Sequence, residues 1–202
     1  MRFWVIAVLV LSIVPCVAAP MPALVPGNSA WTLDVRSAVL WSMDSRELPS
    51  RRYWYLIISI ENRTGRDVDL VPQADLATDT FQVQPAGIGV SASVFDLIKA
   101  RHQYLYPFLQ PWPVGPDRIM PGPDHARDYV LVWPQMDTKV GQVSVFIGGL
   151  SNEMAVIDHP LARDQDGTPI KVYLRKTLKL DFVISPDSRH PIMPVEEAWV
   201  MR

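Results

Sequence analysis

The chain has almost no cysteine: Cys16 is the only one in 202 residues. No disulfide can form within it, and thiol catalysis or a thiolate-held metal would rest on that single position. Long apolar runs are also scarce. The run Phe3–Val14 has only Ser12 as a polar residue, and at about twelve residues it is shorter than the roughly 20 a membrane-spanning helix needs. Nor is there an excess of one charge: 19 basic residues stand against 21 acidic ones, a formal net charge of −2. That balance points to no nucleic-acid surface and no anionic-membrane surface. Local pairs of metal ligands are missing too. His102, His125, His159 and His190 are far apart, and none belongs to an HxH, HxxxH or HExxH arrangement. Solvated loop histidines, no bound metal and no cofactor are the expectation.

What is present begins with an address. Arg2 precedes the apolar run, Pro15 breaks it, and the small residues Ala18 and Ala19 follow. This is the order of a secretory signal peptide. Signal peptidase takes small residues at the last and third-last positions and accepts proline poorly just after the cut. Cleavage after Ala18, which avoids Pro20 in that place, fits best, and the mature chain then starts at Ala19 without a cysteine. Lipidation of Cys16, which Pro15 disfavours, and an uncleaved anchor stay open as alternatives. The expected location is extracytoplasmic, periplasmic or secreted, with no stable membrane span once the leader is cut. The expected organisation is a signal peptide over 1–18, a lead-in over 19–29, one domain over 30–184 and a tail over 185–202. The tail carries Trp199-Val200-Met201 and is expected to dock back on the domain.

Proline, at 19 residues, is about twice as frequent as the usual ~5%. It punctuates short elements joined by shaped loops, because it donates nothing to a sheet and breaks helix interiors. Between the prolines the apolar residues alternate. Trp31, Leu33, Val35, Val39 and Trp41 read as one strand face, and Trp54, Leu56, Ile58 and Ile60 as another. Asn62-Arg63-Thr64-Gly65 reads as a turn into a returning strand at Val68 and Leu70. Further strands are expected over 76–83, 129–133, 143–147 and 172–184, with a short extra one over 154–157. These suit two packed antiparallel sheets, an all-β sandwich. Lys176 interrupts the last alternation on its inward face, and a β-bulge, or a switch of the strand between sheets, that turns it outward is expected. Ser93-Val94-Phe95-Asp96 reads as a capping box that opens one helix over 93–103.

Chemistry-bearing motifs are few. No Gly-x-Ser-x-Gly elbow and no phosphate-cradling glycine loop is present. Gly148-Gly149 reads as a turn. Asp164-Gln165-Asp166-Gly167 lacks the later ligands of a calcium loop and reads as a polar turn. Asp75 and Asp79 read as a solvated strand face, and Asn62-Arg63-Thr64 is a formal glycosylation sequon. The segment with the strongest claim to function is the loop over 104–124. It holds six prolines and the aromatics Tyr104, Tyr106, Phe108 and Trp112. Their even spacing would place them on one side of an extended chain, either as a partner surface or as a lid that closes one end of the sandwich.

Trp54-Tyr55-Leu56 with Asn62-Arg63-Thr64-Gly65, Thr78-Asp79-Thr80, and Ala126-Arg127-Asp128 with Trp133-Pro134 resemble secreted bacterial immunoglobulin-like proteins of unknown function. So do Val145-Phe146-Ile147-Gly148-Gly149-Leu150-Ser151 and Leu174-Arg175-Lys176-Thr177-Leu178. The resemblance covers most of residues 50–182. It implies an exported immunoglobulin-like sandwich built on an Asn-x-Thr-Gly hairpin, and it brings no catalytic residues. The functional expectation is a non-enzymatic binding or structural module whose partner is an unknown envelope protein or polymer. The alternatives are an envelope-polymer hydrolase with a loop-built site and an accessory, chaperone-like protein that pairs through an edge strand.

Overall fold

The computed structural model describes residues 23–24, 30–45, 51–185 and 190–202. The expected leader, its cleavage point and Cys16 lie outside the described residues. In chain order the strands are β1 (Ala23–Leu24), β2 (Asp34–Ser45), β3 (Arg51–Glu61), β4 (Val68–Leu70), β5 (Gln73–Thr78) and β6 (Val83–Pro85). After the helix α1 (Ala92–His102) come β7 (Gln110–Pro111), β8 (Asp117–Ile119), β9 (Arg127–Pro134) and β10 (Gln142–Gly148). The last are β11 (Met154–Arg163), β12 (Pro169–Val183) and β13 (Glu196–Met201). A four-stranded sheet, β2-β3-β9-β7, faces a seven-stranded one in the order β1-β11-β12-β10-β5-β6, in which β13 also pairs with β12. Among the described residues the fold is an all-β sandwich with one α-helix.

β3 explains the layering. Its even-numbered residues Trp54, Leu56, Ile58 and Ile60 meet Leu131 and Trp133 of β9 and Leu76, Val145, Leu178 and Leu180 of the other sheet in the main core. Its odd-numbered residues Tyr53, Tyr55 and Ile57 are buried as well, with Val130, Val132, Val94, Ile98 and Leu109, because α1 covers the outer face of the sheet. A strand covered on both sides reads as an unbroken apolar run rather than as an alternation. Each fully buried side chain of this kind contributes about 1.5–3 kcal/mol.

Several sequence expectations need correction in detail. The alternation of β2 changes face at a bulge: Val35 pairs with Ile60 but Ser37 with Ser59, so one extra residue enters β2. Leu33 and Leu40 therefore point into the core, whereas Trp41 packs on the helix side. α1 begins at Ala92, its N-cap is Ser91, and no side chain caps it; Ser91 and Ser93 instead bond to each other through their hydroxyls at 2.9 Å. The strand expected over 76–83 is two strands, β5 and β6, broken by a tight turn in which Phe81 adopts φ 63°.

Asn62 is the reason the expected hairpin is absent. Its fully buried side chain donates to the carbonyls of Arg66 and Ile119, each at 2.7 Å, and accepts from the Thr64 amide and hydroxyl. The Asn62 carbonyl also accepts from the Gly122 amide at 2.9 Å. These bonds pull the chain away from β3, and β4 pairs with β8 instead. Val68, Leu70 and Ile119 then close one end of the core.

β12 is the longest strand, and it is flanked on both sides. The Lys176 amide donates to the Glu153 carbonyl and the Arg175 amide to the Arg202 carbonyl. Successive amides of a strand point to opposite edges, so the β10–β11 segment and β13 lie on opposite sides of β12. Between β10 and β11 the chain turns at Gly149, with φ +87°, where an added Cβ would lie 1.9 Å from the Val71 carbonyl oxygen. Only glycine fits there.

Candidate functional site: an apolar cleft where the two sheets meet

The edges beside α1 are short and end in proline: β6 at Pro85 and β7 at Pro111. Without an amide proton at those positions, neither strand extends its sheet further. The chain instead crosses from one sheet to the other. The Ala86 amide donates to the Ala74 carbonyl of β5, and the next amide, Gly87, donates to the Val132 carbonyl of β9 at 2.8 Å. Gly87 makes this step with φ +80°. On the far side, the Trp112 amide donates to the Val130 carbonyl at 3.0 Å.

Between the Ala86–Gly87 crossing and Trp112 lies a cleft of about 570 Å³. Ile88, Phe95, Trp112, Val114, Val130 and Val132 supply apolar walls, and Gln73 and Ser91 supply polar points. The Trp112 ring is fixed edge-on to Tyr129, with centroids 5.6 Å apart and planes at 85°. Its indole N–H is buried without a protein acceptor, so packing alone holds the ring. The Tyr129 hydroxyl donates to Asp117 of β8, and burial together with that carboxylate pushes its pKa up. Among the described residues of the lining, Asp75 is the one ionisable side chain, and Arg202 pairs with it at 3.3 Å. The cleft offers shape and apolar surface. It brings together no acid and base.

The four aromatics expected to act together do not share a side. Tyr104 lies in a helical turn that continues α1, in which the Leu105 and Tyr106 amides both donate to the His102 carbonyl. That turn removes the extended geometry on which the expectation rested. Tyr106 packs inward against the second core and Trp112 against the main core, while Tyr104 and Phe108 are exposed. Trp112 alone of the four lines the cleft. Sequence reasoning missed Ile88 and Phe95; the signal available was Pro85-Ala-Gly-Ile-Gly89, a run of turn residues leading directly into a helix.

Two polar clusters lie elsewhere. Lys176 is not turned outward, because β12 keeps an unbroken register with β13 through that position. Its ammonium meets Glu153 at 2.6 Å and the Thr32 hydroxyl at 3.1 Å, and lies 5.2 Å over the Trp199 ring. The Thr32 hydroxyl donates to Glu153 at 2.8 Å and has the Ser151 hydroxyl oxygen 3.0 Å away. The hydrogen bonds from Lys176 and then Thr32 hold the Glu153 carboxyl below its usual range. These groups saturate one another and pin the start of the domain to β10, β11 and β12. His102 is buried rather than solvated, with its Nε2 2.9 Å from the Tyr55 hydroxyl.

The remaining motifs have structural uses. Asp75 and Asp79 do not converge; Asp79 accepts the Gly141 and Gln142 amides. Asp164 accepts the Asp166 and Thr168 amides and closes the β11–β12 turn. Among the described residues, no group of three or more histidine, cysteine or acidic side chains is placed to hold a metal. Among the same residues, no helix is long and apolar enough to cross a membrane.

Fold and cleft together define a β-sandwich with an apolar cleft where its two sheets meet. Comparison of the chain with protein-family models, with curated proteins and with solved structures gives no match.

Proposed function

We propose that this protein is a non-enzymatic, extracytoplasmic binding module that takes a small apolar ligand in the cleft between β5, β6, α1 and β9. The lining carries this reading. Its walls are apolar and aromatic, its polar points are few, and its single ionisable group is already paired with Arg202. A volume of about 570 Å³ lies within the range of about 300–1,000 Å³ common for small-molecule sites. The charge, apolar core and small-residue order of residues 1–19 support the extracytoplasmic address, and the resemblance to secreted bacterial immunoglobulin-like proteins agrees with it. Pro85 and Pro111 at the neighbouring margins favour a ligand held in the cleft over a partner strand added at the edge.

The test is a titration with the apolar fluorophore 1-anilinonaphthalene-8-sulfonate. Saturable one-to-one enhancement is expected, together with its loss in Ala92→Trp, which fills the cleft from the exposed first turn of α1 and leaves thermal stability in place. No saturable binding, or binding indifferent to that substitution, overturns the reading.

A further inference from the structure

A strand at the margin of a sheet holds backbone groups that can take a further strand, and several margins of this molecule are closed to that. β6 and β7 end at Pro85 and Pro111. The outer side of β2 is bonded to Ile192 through Leu40. β11 contains Pro160 and loses its register between Asp158 and Arg163. Proline, broken register and a covering segment are common protections of a sheet edge. β13 has none of them. It pairs with β12 without a shift from Glu196 to Met201 and contains neither proline nor lysine. Among the described residues, no strand pairs with its other side.

The phase of β13 is fixed. The Arg202 amide and carbonyl both bond to Arg175. Successive residues of a strand direct their backbone groups to opposite edges, so Ala198 and Val200 also face β12. Glu197, Trp199 and Met201 hold their amides and carbonyls toward the open side. The sequence runs from two acids, Glu196 and Glu197, through Ala198, Trp199, Val200 and Met201 to Arg202. Such an order complements its own reverse. In an antiparallel pair centred on Trp199, the outward groups of Glu197, Trp199 and Met201 meet those of Met201, Trp199 and Glu197 of a second copy. Glu196 then stands directly opposite Arg202, and the two side chains share one face of the sheet. Arg202 meets Asp75 at 3.3 Å, yet its side chain is 46% exposed and can take this second carboxylate. A slip of the pair that keeps the backbone in phase separates Glu196 from Arg202.

We propose that β13 joins two copies of this chain edge to edge, as an isologous dimer with one sheet continuous across its two-fold axis. Self-complementarity selects a second copy over a foreign strand. The charge order and the phase of the open backbone groups agree in one register, and in it no like charges stand opposite each other. The two Trp199 rings are neighbours at the axis, and each keeps the Lys176 ammonium of its own copy 5.2 Å over it. The contact is one six-residue strand per copy, which is small, so the dimer exchanges with monomer and grows with concentration.

Sedimentation velocity over a concentration series, with backbone hydrogen exchange at both ends of it, tests this. A dimer is expected at high concentration. The amides of Glu197, Trp199 and Met201 should exchange more slowly there than in dilute protein, while those of Ala198 and Val200 are slow throughout. Trp199→Glu sets two carboxylates against each other at the axis and leaves Lys176 a partner within each copy. Glu197→Pro removes one outward amide and no bond to β12. Each is expected to weaken the dimer at least about tenfold with the melting temperature near the parent value. A variant that fails to fold is set aside for the other, and the exchange measurement needs neither. A monomer throughout the series overturns the proposal. So does a dimer in which those three amides stay fast, or one that properly folded variants do not weaken.

Discussion

The Tyr55 hydroxyl oxygen and Nε2 of His102 lie 2.9 Å apart, covered by Trp41 and Tyr106. Burial pushes the Tyr55 pKa up to about 12 and that of His102 below its ordinary 6.5. At neutral pH the phenol is therefore the donor and the neutral imidazole the acceptor. The unfolded chain takes up a proton at this histidine more readily than the folded one. Folding stability is therefore complete above pH 6.5 and is lost as the pH falls from there toward the lower folded value. One such group changes the unfolding free energy by at most about 1.4 kcal/mol per pH unit. Urea unfolding at a series of pH values should show this loss in the parent and a flatter profile in His102→Gln. An equal slope in both would remove His102 as its source.

Trp54 lies on the inward face of β3 and is 3% exposed. Trp54→Ala should cost about 3–5 kcal/mol in chemical denaturation, through lost burial and the cavity left behind. A loss below about 1 kcal/mol would contradict the inward placement of that face.

Lys176 and Glu153 are both partly shielded, with side chains 22% and 28% exposed. A double-mutant cycle with Lys176→Met and Glu153→Gln should give a coupling energy of about 1 kcal/mol, modest because solvent still reaches the pair. Additive single effects would show that the two groups do not interact.

Two glycines with left-handed backbone provide a matched comparison. At Gly167, φ is +80° and nothing lies within 4 Å of an added Cβ, so Gly167→Ala should cost about 1–2 kcal/mol, the conformational term alone. At Gly149 the Val71 carbonyl blocks the same atom, so Gly149→Ala should cost at least about twice as much. Equal melting temperatures for the two variants would contradict the close approach of Val71.

The four loop aromatics should separate into two pairs. Y106S/W112S should lower the melting temperature by several degrees, since about 1 kcal/mol shifts a domain of this size by 2–4 °C. Y104S/F108S should leave it within about a degree, because both rings are solvent-exposed. Equal shifts in the two double variants would refute this division.

The sandwich was legible because its central strands carry long, consistent patterns: Trp54 to Ile60, Val143 to Ile147 and Leu178 to Ile184. The details were lost where one residue outweighs a pattern. The extra residue near Arg36 reverses the faces of β2, and the hydrogen bonds of Asn62 redirect β4 from β3 to β8. Lys176 read as a misfit because its partner, Glu153, is 23 residues away. The cleft left only the turn run from Pro85 to Gly89 as a trace. Pro85, Ile88, Trp112 and Val130 belong to separate elements and become neighbours only when Gly87 joins the two sheets.

The placement of β13 also ties the two layers together. Residues 196–201 cover one side of β12, and Ile192 exchanges backbone hydrogen bonds with Leu40 of β2. One short stretch of chain is thus bonded to both sheets, and Ile192 and Leu40 are far apart in sequence, so this seam belongs to the slow, late part of refolding.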